Sequence, residues 1–162
     1  MNGQGRFPEL LLRPVEADDA PRVRRLFERL SPDTVYRRFF TLFPTPPPAI
    51  LSYLAHPETV DHEGLAALDG DEIVALGSWD RIAGTTKAEL AVLVEDAWQH
   101  RGLGRELTRA LVAEAAHRGI TILTATMLSE NDRARRLATR LARPEHVHMD
   151  GPATHFTFRV AS

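Results

Sequence analysis

The segment Glu89–Gly104, reading E-L-A-V-L-V-E-D-A-W-Q-H-R-G-L-G, runs from an apolar stretch through a short loop into a helix start that carries two glycines. Such a start is an anion site. Its first N–H groups lack intrahelical acceptors, the positive end of the helix dipole lies there, and Gly102 and Gly104 let a phosphate approach the backbone closely. Arg101 and Arg105 are spaced to add charge-assisted hydrogen bonds. The expected cradle therefore comprises Gln99, His100, Arg101, Gly102, Leu103, Gly104 and Arg105. It is neither of two common nucleotide loops. Arg105-Glu106 follows where a Walker loop needs Lys and Ser or Thr, and Leu107 stands at the third small position of a dinucleotide fingerprint. The acidic residue that would read a ribose about 20 positions further on is also missing.

Other candidate chemistry is thinner. The chain has no cysteine, which excludes thiolate nucleophiles, disulfides and thiolate metal sites. His146-x-His148 offers two imidazoles at strand spacing, but no carboxylate is spaced as a third ligand, so no metal is expected. Arg133, Arg135, Arg136, Arg140 and Arg143 make a basic helix face that suits either solvent or a second phosphate.

These groups need elements to hold them. Glu9–Pro14 reads as a first strand, and Asp18 as the cap of a helix with Ala20, Val23, Leu26, Phe27 and Leu30 on one face. Ser31-Pro32 is a second helix start; Val35, Tyr36, Phe39 and Phe40 form its stripe, read as packing, and Pro44 to Pro48 end it. A third short helix is expected over Ala49–Ala55. The period then changes to two: strands over Leu65–Leu68 and Ile73–Trp79 flank the turn Asp69-Gly70-Asp71. After a turn at Gly84 comes Ala88–Glu95, apolar enough to be a central strand covered on both faces. The helix that follows the glycine turn buries Leu103, Leu107, Ala110, Leu111 and Ala115 and stops at Gly119. Ile120–Met127 reads as a buried strand, and Ser129 as the cap of a helix bearing Ala134, Leu137, Ala138 and Leu141 on one face. Pro144 ends that helix, His155–Val160 is the last strand, and Trp98 reads as packing.

A Gln-x-x-Gly-x-Gly turn that follows antiparallel strands and opens a helix resembles the pyrophosphate-binding motif of the GNAT N-acetyltransferase superfamily. The resemblance runs from the first strand through the Ser129–Leu141 helix. Within the superfamily, Leu30–Phe40 (LSPDTVYRRFF) and Ala88–Val92 (AELAV) are similar to the catalytic domain of bacterial protein lysine acetyltransferases. What it implies is one mixed α/β (α+β) domain over residues 1–162 with the GNAT fold: a mostly antiparallel central sheet flanked by helices. Its strands would be splayed at the cofactor site by a bulge near Val92–Val94. The resemblance implies acetyl-CoA as co-substrate and no metal. Pantetheine would run along Val92, Leu93 and Val94, the Leu93 N–H would face the thioester oxygen, and Asn131 would touch the cofactor.

The reaction so implied is direct attack by a neutral amine. An ammonium of reference pKa about 10.4 must first lose its proton. Glu89 matches the position of the family's glutamate base, and its apolar neighbours imply a partly desolvated carboxylate of raised proton affinity; Glu63 and Glu95 are reserves. The tyrosine that protonates the leaving thiolate in many relatives is replaced by Ala138, which leaves solvent or Ser129 for that task. The acceptor is an amine, either a protein lysine or a small amine. The missing tyrosine keeps open a catalytically silent acyl-CoA-binding regulatory domain.

Composition bounds the partners. At 162 residues and 43% hydrophobic content the chain can bury one core. A net charge of −2 with mixed signs gives no field for nucleic acid or an anionic membrane surface. Met1–Leu12 is too polar for a secretory segment and no stretch approaches the ~20 apolar residues of a membrane span, so a cytoplasmic monomer or homodimer is expected.

Overall fold

The period-2 stretch on either side of Gly70 folds back on itself. In the computed structural model, which describes residues 6–161, β2 (His62–Asp69) and β3 (Glu72–Arg81) pair antiparallel around Gly70, whose φ of +60° lies in the left-handed region that glycine enters without strain. β1 (Leu11–Pro14) pairs with the far edge of β2, and β4 (Lys87–Val94) follows the Gly84 turn onto β3. β5 (Ile122–Leu128) lies on the other side of β4, and β6 (His146–Asp150) and β7 (Ala153–Arg159) close the order β1-β2-β3-β4-β5-β7-β6. Every neighbouring pair is antiparallel except β4 with β5.

That parallel pair is the feature that positions the site. It comprises Lys87↔Ile122, Ala88↔Leu123 and Glu89↔Thr124; beyond Glu89, β4 stays with β3 while β5 stays with β7, so the sheet opens into a fork. The expected bulge near Val92–Val94 is absent among the described residues. The β3–β4 register runs unshifted from Arg81↔Ala88 to Ala75↔Val94, and the one shift in the described ladders lies between β2 and β3 at Ala67/Leu68. Each arm of the fork follows its own antiparallel partner, and strand twist then carries the arms apart.

The helices cover the two faces. α1 (Ala20–Arg29), α2 (Pro32–Phe39) and α3 (Pro48–Leu54) bury Val23, Leu26, Val35 and Leu51 against one face. α4 (Leu103–His117) lays Leu103, Leu107, Leu111 and Ala115 on the other, over Trp79 and Ala88. Each such leucine contributes about 1.5–3 kcal/mol by leaving water. Gly77 lets α4 come this close, since a Cβ there would stand 2.5 Å from Leu111 Cδ1. α5 (Asp132–Leu141) packs through Ala138 on Met127 and Phe156. No described helix is long and apolar enough to cross a membrane.

Several local expectations are corrected. Asp19, not Asp18, sits at the start of α1, because its fully buried carboxylate accepts from Arg13 at 2.7 and 2.8 Å and from the Glu16 N–H at 2.8 Å. α2 starts as expected, with Ser31 Oγ accepting from the Thr34 N–H at 3.2 Å, but it ends at Phe40 in a left-handed conformation rather than at the prolines. Its stripe only partly packs: Phe39 meets Phe27 and Phe43, while Tyr36 and Phe40 are 39% and 42% exposed. α5 is capped by Asn131, whose Oδ1 accepts from the Ala134 N–H at 3.2 Å; Ser129 Oγ instead bonds Thr154 Oγ1 at 2.7 Å. β4 is central but only half-buried, because part of it lines the fork. The strand spacing of His146-x-His148 belongs to β6, whose residues are all exposed, so no core-facing alternation marks its length.

Candidate functional site

The fork leads into a groove of about 740 Å³ bounded by Leu90–Val94 of β4, the turn before α4, Ala125–Met127 of β5 and one side of α5. At its head the turn is built to receive an anion. His100 and Gly102 have φ of +62° and +91° while Arg101 between them does not, an alternation that curls successive N–H groups toward one point. The first hydrogen bond into α4 is Glu106 N–H to Gly102 O at 3.2 Å, and no side chain caps the helix. The N–H groups of residues 100–105 thus have no acceptor among the described residues. A Cβ on Gly104 would point between Val94 Cγ2 at 3.6 Å and Leu137 Cδ2 at 3.7 Å, that is, across the groove from β4 to α5.

The side chains of the turn divide. Gln99 acts as a brace: its amide donates to Val94 O at 3.0 Å and Thr34 Oγ1 at 3.1 Å, and its carbonyl oxygen accepts from Arg133. This ties the end of β4 to α2 and α5. Arg105 lines the groove and its buried Nε has no hydrogen-bond partner among the described residues, an orphaned donor of the kind that an anion satisfies. Arg101 departs from expectation. Its guanidinium lies 4.1 Å over the Trp98 ring and 3.7 Å from Glu9, drawn there by the ring face and the carboxylate. Val92, Leu93, Val94, His100, Leu103 and Asn131 all line the groove.

The groove is strongly cationic although the chain is not. Nine arginines line it against one carboxylate, Asp33, among the described residues, so the field inside suits a polyanion. Arg133, Arg136 and Arg140 face it from α5, whereas Arg135 turns to Ser129 O and Asp132. Their i, i+3, i+7 spacing was the legible signal. Arg6, Arg109 and Arg159 converge from distant segments and had none.

Glu89 occupies the last paired rung before the fork opens. It is exposed, not desolvated as its apolar neighbours implied, because those neighbours point to the other face or into the fork. The two reserves are engaged elsewhere. Glu63 is buried beside Arg118 at 3.3 Å; burial and the negative Glu58 push its carboxyl up, with Arg118 opposing. Glu95 is buried with its Oε1 3.1 Å from Arg29 Nε. Ala138, the position that the resemblance assigns to a tyrosine in many relatives, lines the groove, and Ser129 is not among the groove residues.

One polar cluster escaped the sequence reading. Asp80, opposite Glu89 on β3, accepts from Tyr53 OH at 2.5 Å and pairs with His62 Nδ1 at 2.6 Å. Burial raises the Tyr53 pKa, and its bond to Asp80 adds to that. Burial would raise that of Asp80 too, but the His62 and Tyr53 hydrogen bonds and the charges of His62 and Arg38 hold it below its ordinary value. No group of three metal-ligating side chains occurs among the described residues; His148 stacks on His155 instead.

Comparison with known proteins agrees with this geometry. Residues 23–142 match the acetyltransferase (GNAT) family. Acetyltransferase Pat of Mycolicibacterium smegmatis is 32% identical over 133 residues, which are 80% of this chain. The chain spans 40% of the length of that curated relative. The GNAT domain of S. lividans PAT superposes with a TM-score of 0.85 at 30% identity, over 91% of this chain and 89% of that one. A cAMP-binding acyltransferase from Mycobacterium smegmatis gives 0.65 at 27% identity, over 94% of this chain and 44% of its own. With the fork, the turn and these matches together, the chain belongs to the acetyltransferase (GNAT) family.

Proposed function

We propose that this protein transfers an acetyl group from acetyl-CoA to a primary amine, with a protein lysine as the acceptor that its similarity to the Pat proteins supports. The observation that carries the reading is the run of acceptor-free N–H groups at residues 100–105, opening on an arginine-lined groove that ends at the fork. The residues present fit the co-substrate. Residues 100–105 and Arg105 would hold the pyrophosphate, α5 arginines a further phosphate, and the unpaired inner edge of Leu90–Val94 the pantetheine amides. The bound co-substrate supplies an activated acyl thioester.

This chain's own residues have two tasks at the fork. The acceptor is an ammonium at neutral pH and must lose a proton before its nitrogen attacks; Glu89 takes that proton, directly or through water, from the rung where the strands part. As the N–C bond forms and the C–S bond breaks, the nitrogen sheds its second proton to water and the sulfur departs as a thiolate. A thiol has a reference pKa of about 8.5, so it leaves without a strong acid, consistent with Ala138 at the place of the relatives' tyrosine. That same alanine favours a second reading, a silent acyl-CoA-binding domain. Purified protein mixed with acetyl-CoA and a panel of lysine peptides and small amines separates them: free thiol should appear in step with acetylated amine. Acetyl-CoA binding without thiol release from any amine would leave only the silent domain.

A further inference from the structure

The face of β4 turned away from α4 carries Glu89, Ala91 and Leu93, whereas Leu90, Val92 and Val94 pack toward α4. Register sets Asp80 beside Glu89 and Ser78 beside Ala91. A small cavity next to α3, lined by Tyr53, His62 and Ser78, shares Arg38, Ala91 and Leu93 with the large groove. Arg38 therefore stands where the two meet.

The charge of Arg38 is handled differently from that of its neighbour. Arg37 pairs with Asp33 at 3.1 Å, while Arg38 makes no ion pair among the described residues. Its guanidinium lies 4.7 Å from the centre of the Phe39 ring, and the one carboxylate acting on it, Asp80, already has an oxygen on Tyr53 and the other on His62. Burial pushes the Arg38 pKa down, and Tyr53 and Asp80 only partly restore it. A half-buried guanidinium without a carboxylate partner is under-satisfied, and its planar fork matches an incoming carboxylate bidentately. The dipole of α2 offsets part of this, but Arg37 shares that benefit and is paired as well.

We propose that Arg38 receives a carboxylate of the acceptor, so that the acceptor is an amine with an anionic group a few bonds away. Arg38 lines both cavities together with Ala91, and Glu89 precedes Ala91 by two residues on β4, about 6.5–7 Å along the strand, so an ammonium at Glu89 and a carboxylate at Arg38 belong to one stretch of the fork. An amino acid offers that chemistry, and so does a peptide lysine flanked by acidic side chains. Arg38 touches the acceptor and takes no proton. The inference rests on the acetyltransferase reading above.

Two acceptor pairs test it on the full chain: lysine against cadaverine, and a one-lysine peptide with glutamate neighbours against the same peptide with glutamines. Thiol release gives kcat/KM, and calorimetry gives acceptor binding to protein saturated with CoA. The wild type should favour the carboxylate-bearing member of at least one pair by about tenfold to a hundredfold, and the pair that responds identifies the source. Arg38→Gln should erase that preference, and Arg38→Lys should keep part of it. Equal use of both members of both pairs by the wild type would overturn the assignment. So would an Arg38→Gln variant that loses the same factor on every acceptor, or that loses acetyl-CoA affinity. Should acetyl-CoA bind but no amine release thiol, the transferase reading fails, and the calorimetric preference still decides what Arg38 binds.

Discussion

Replacing Gly104 by alanine separates a ligand effect from a folding effect. A methyl at this position would meet Val94 Cγ2 at 3.6 Å and Leu137 Cδ2 at 3.7 Å, both ordinary contacts, and the residue is not left-handed. The unliganded fold should therefore accept it and gain up to about 1 kcal/mol from the lower chain entropy of alanine, a rise of about 2–4 °C in Tm for a domain of this size. The methyl nevertheless stands in the groove beside the free N–H groups. Loss of one hydrogen bond to a charged oxygen costs about 1.5–3 kcal/mol, which weakens Kd about tenfold to 150-fold. Calorimetry would read this directly. Thermal melting gives a second check: at acetyl-CoA 100 times the wild-type Kd, binding stabilises the wild type by about 2.7 kcal/mol, and a tenfold weaker variant by about 1.4 kcal/mol. Alanine at position 104 with wild-type affinity and an undiminished melting shift would refute the placement of the phosphate. Gly102 is a poorer test, since it sits at φ +91° with a would-be Cβ 3.0 Å from Arg6, so strain would confound the result.

Two more expectations concern single charges. Arg105→Gln should lower acetyl-CoA affinity by about tenfold or more, because the orphaned Nε lines the groove, whereas Arg101→Gln should change it less than threefold, its guanidinium being held by Trp98 and Glu9; equal losses in calorimetry would contradict this. Asp19→Asn should cost about 3 kcal/mol in urea unfolding by stranding Arg13 and Arg22 beside a buried amide. Burial raises the Asp19 pKa, but hydrogen bonds from Arg13 and the Glu16 N–H and the charges of Arg13 and Arg22 leave it lowered. Its contribution is thus present above the unfolded value of about 3.9 and lost as pH falls through the folded value, so the variant should show a flatter acid limb.

What could be read from the chain follows from what is local. The serine cap of α2, the Gly70 turn, the stripe of α4 and the glycine turn before it are each set by residues within a few positions, and they fold as read. The fork is not local: β4 carries no bulge, and it opens because β3 and β7 each hold one arm through pairings that no single segment encodes. The choice of Asp19 over Asp18 depended on Arg13 across a turn. The Tyr53–Asp80–His62 cluster joins three separate segments, as do the arginines of the groove, of which only those on α5 share a periodic face. β6 showed only as the strand spacing of His146-x-His148, because a fully exposed edge strand leaves no burial pattern in its residues.

The account centres on an amine made nucleophilic at the fork, and Glu89→Gln tests that most directly. Glutamine keeps the size and polarity of the side chain but cannot take up the proton, and Glu89 is not among the groove residues, so co-substrate binding should be spared. Thiol release with a lysine peptide should fall by about 10²–10⁴-fold at neutral pH, with acetyl-CoA affinity within twofold of wild type and a residual rate that climbs with pH as free amine accumulates. Full turnover by this variant at neutral pH would contradict the account, and a parallel loss of acetyl-CoA affinity would show that Glu89 serves binding instead.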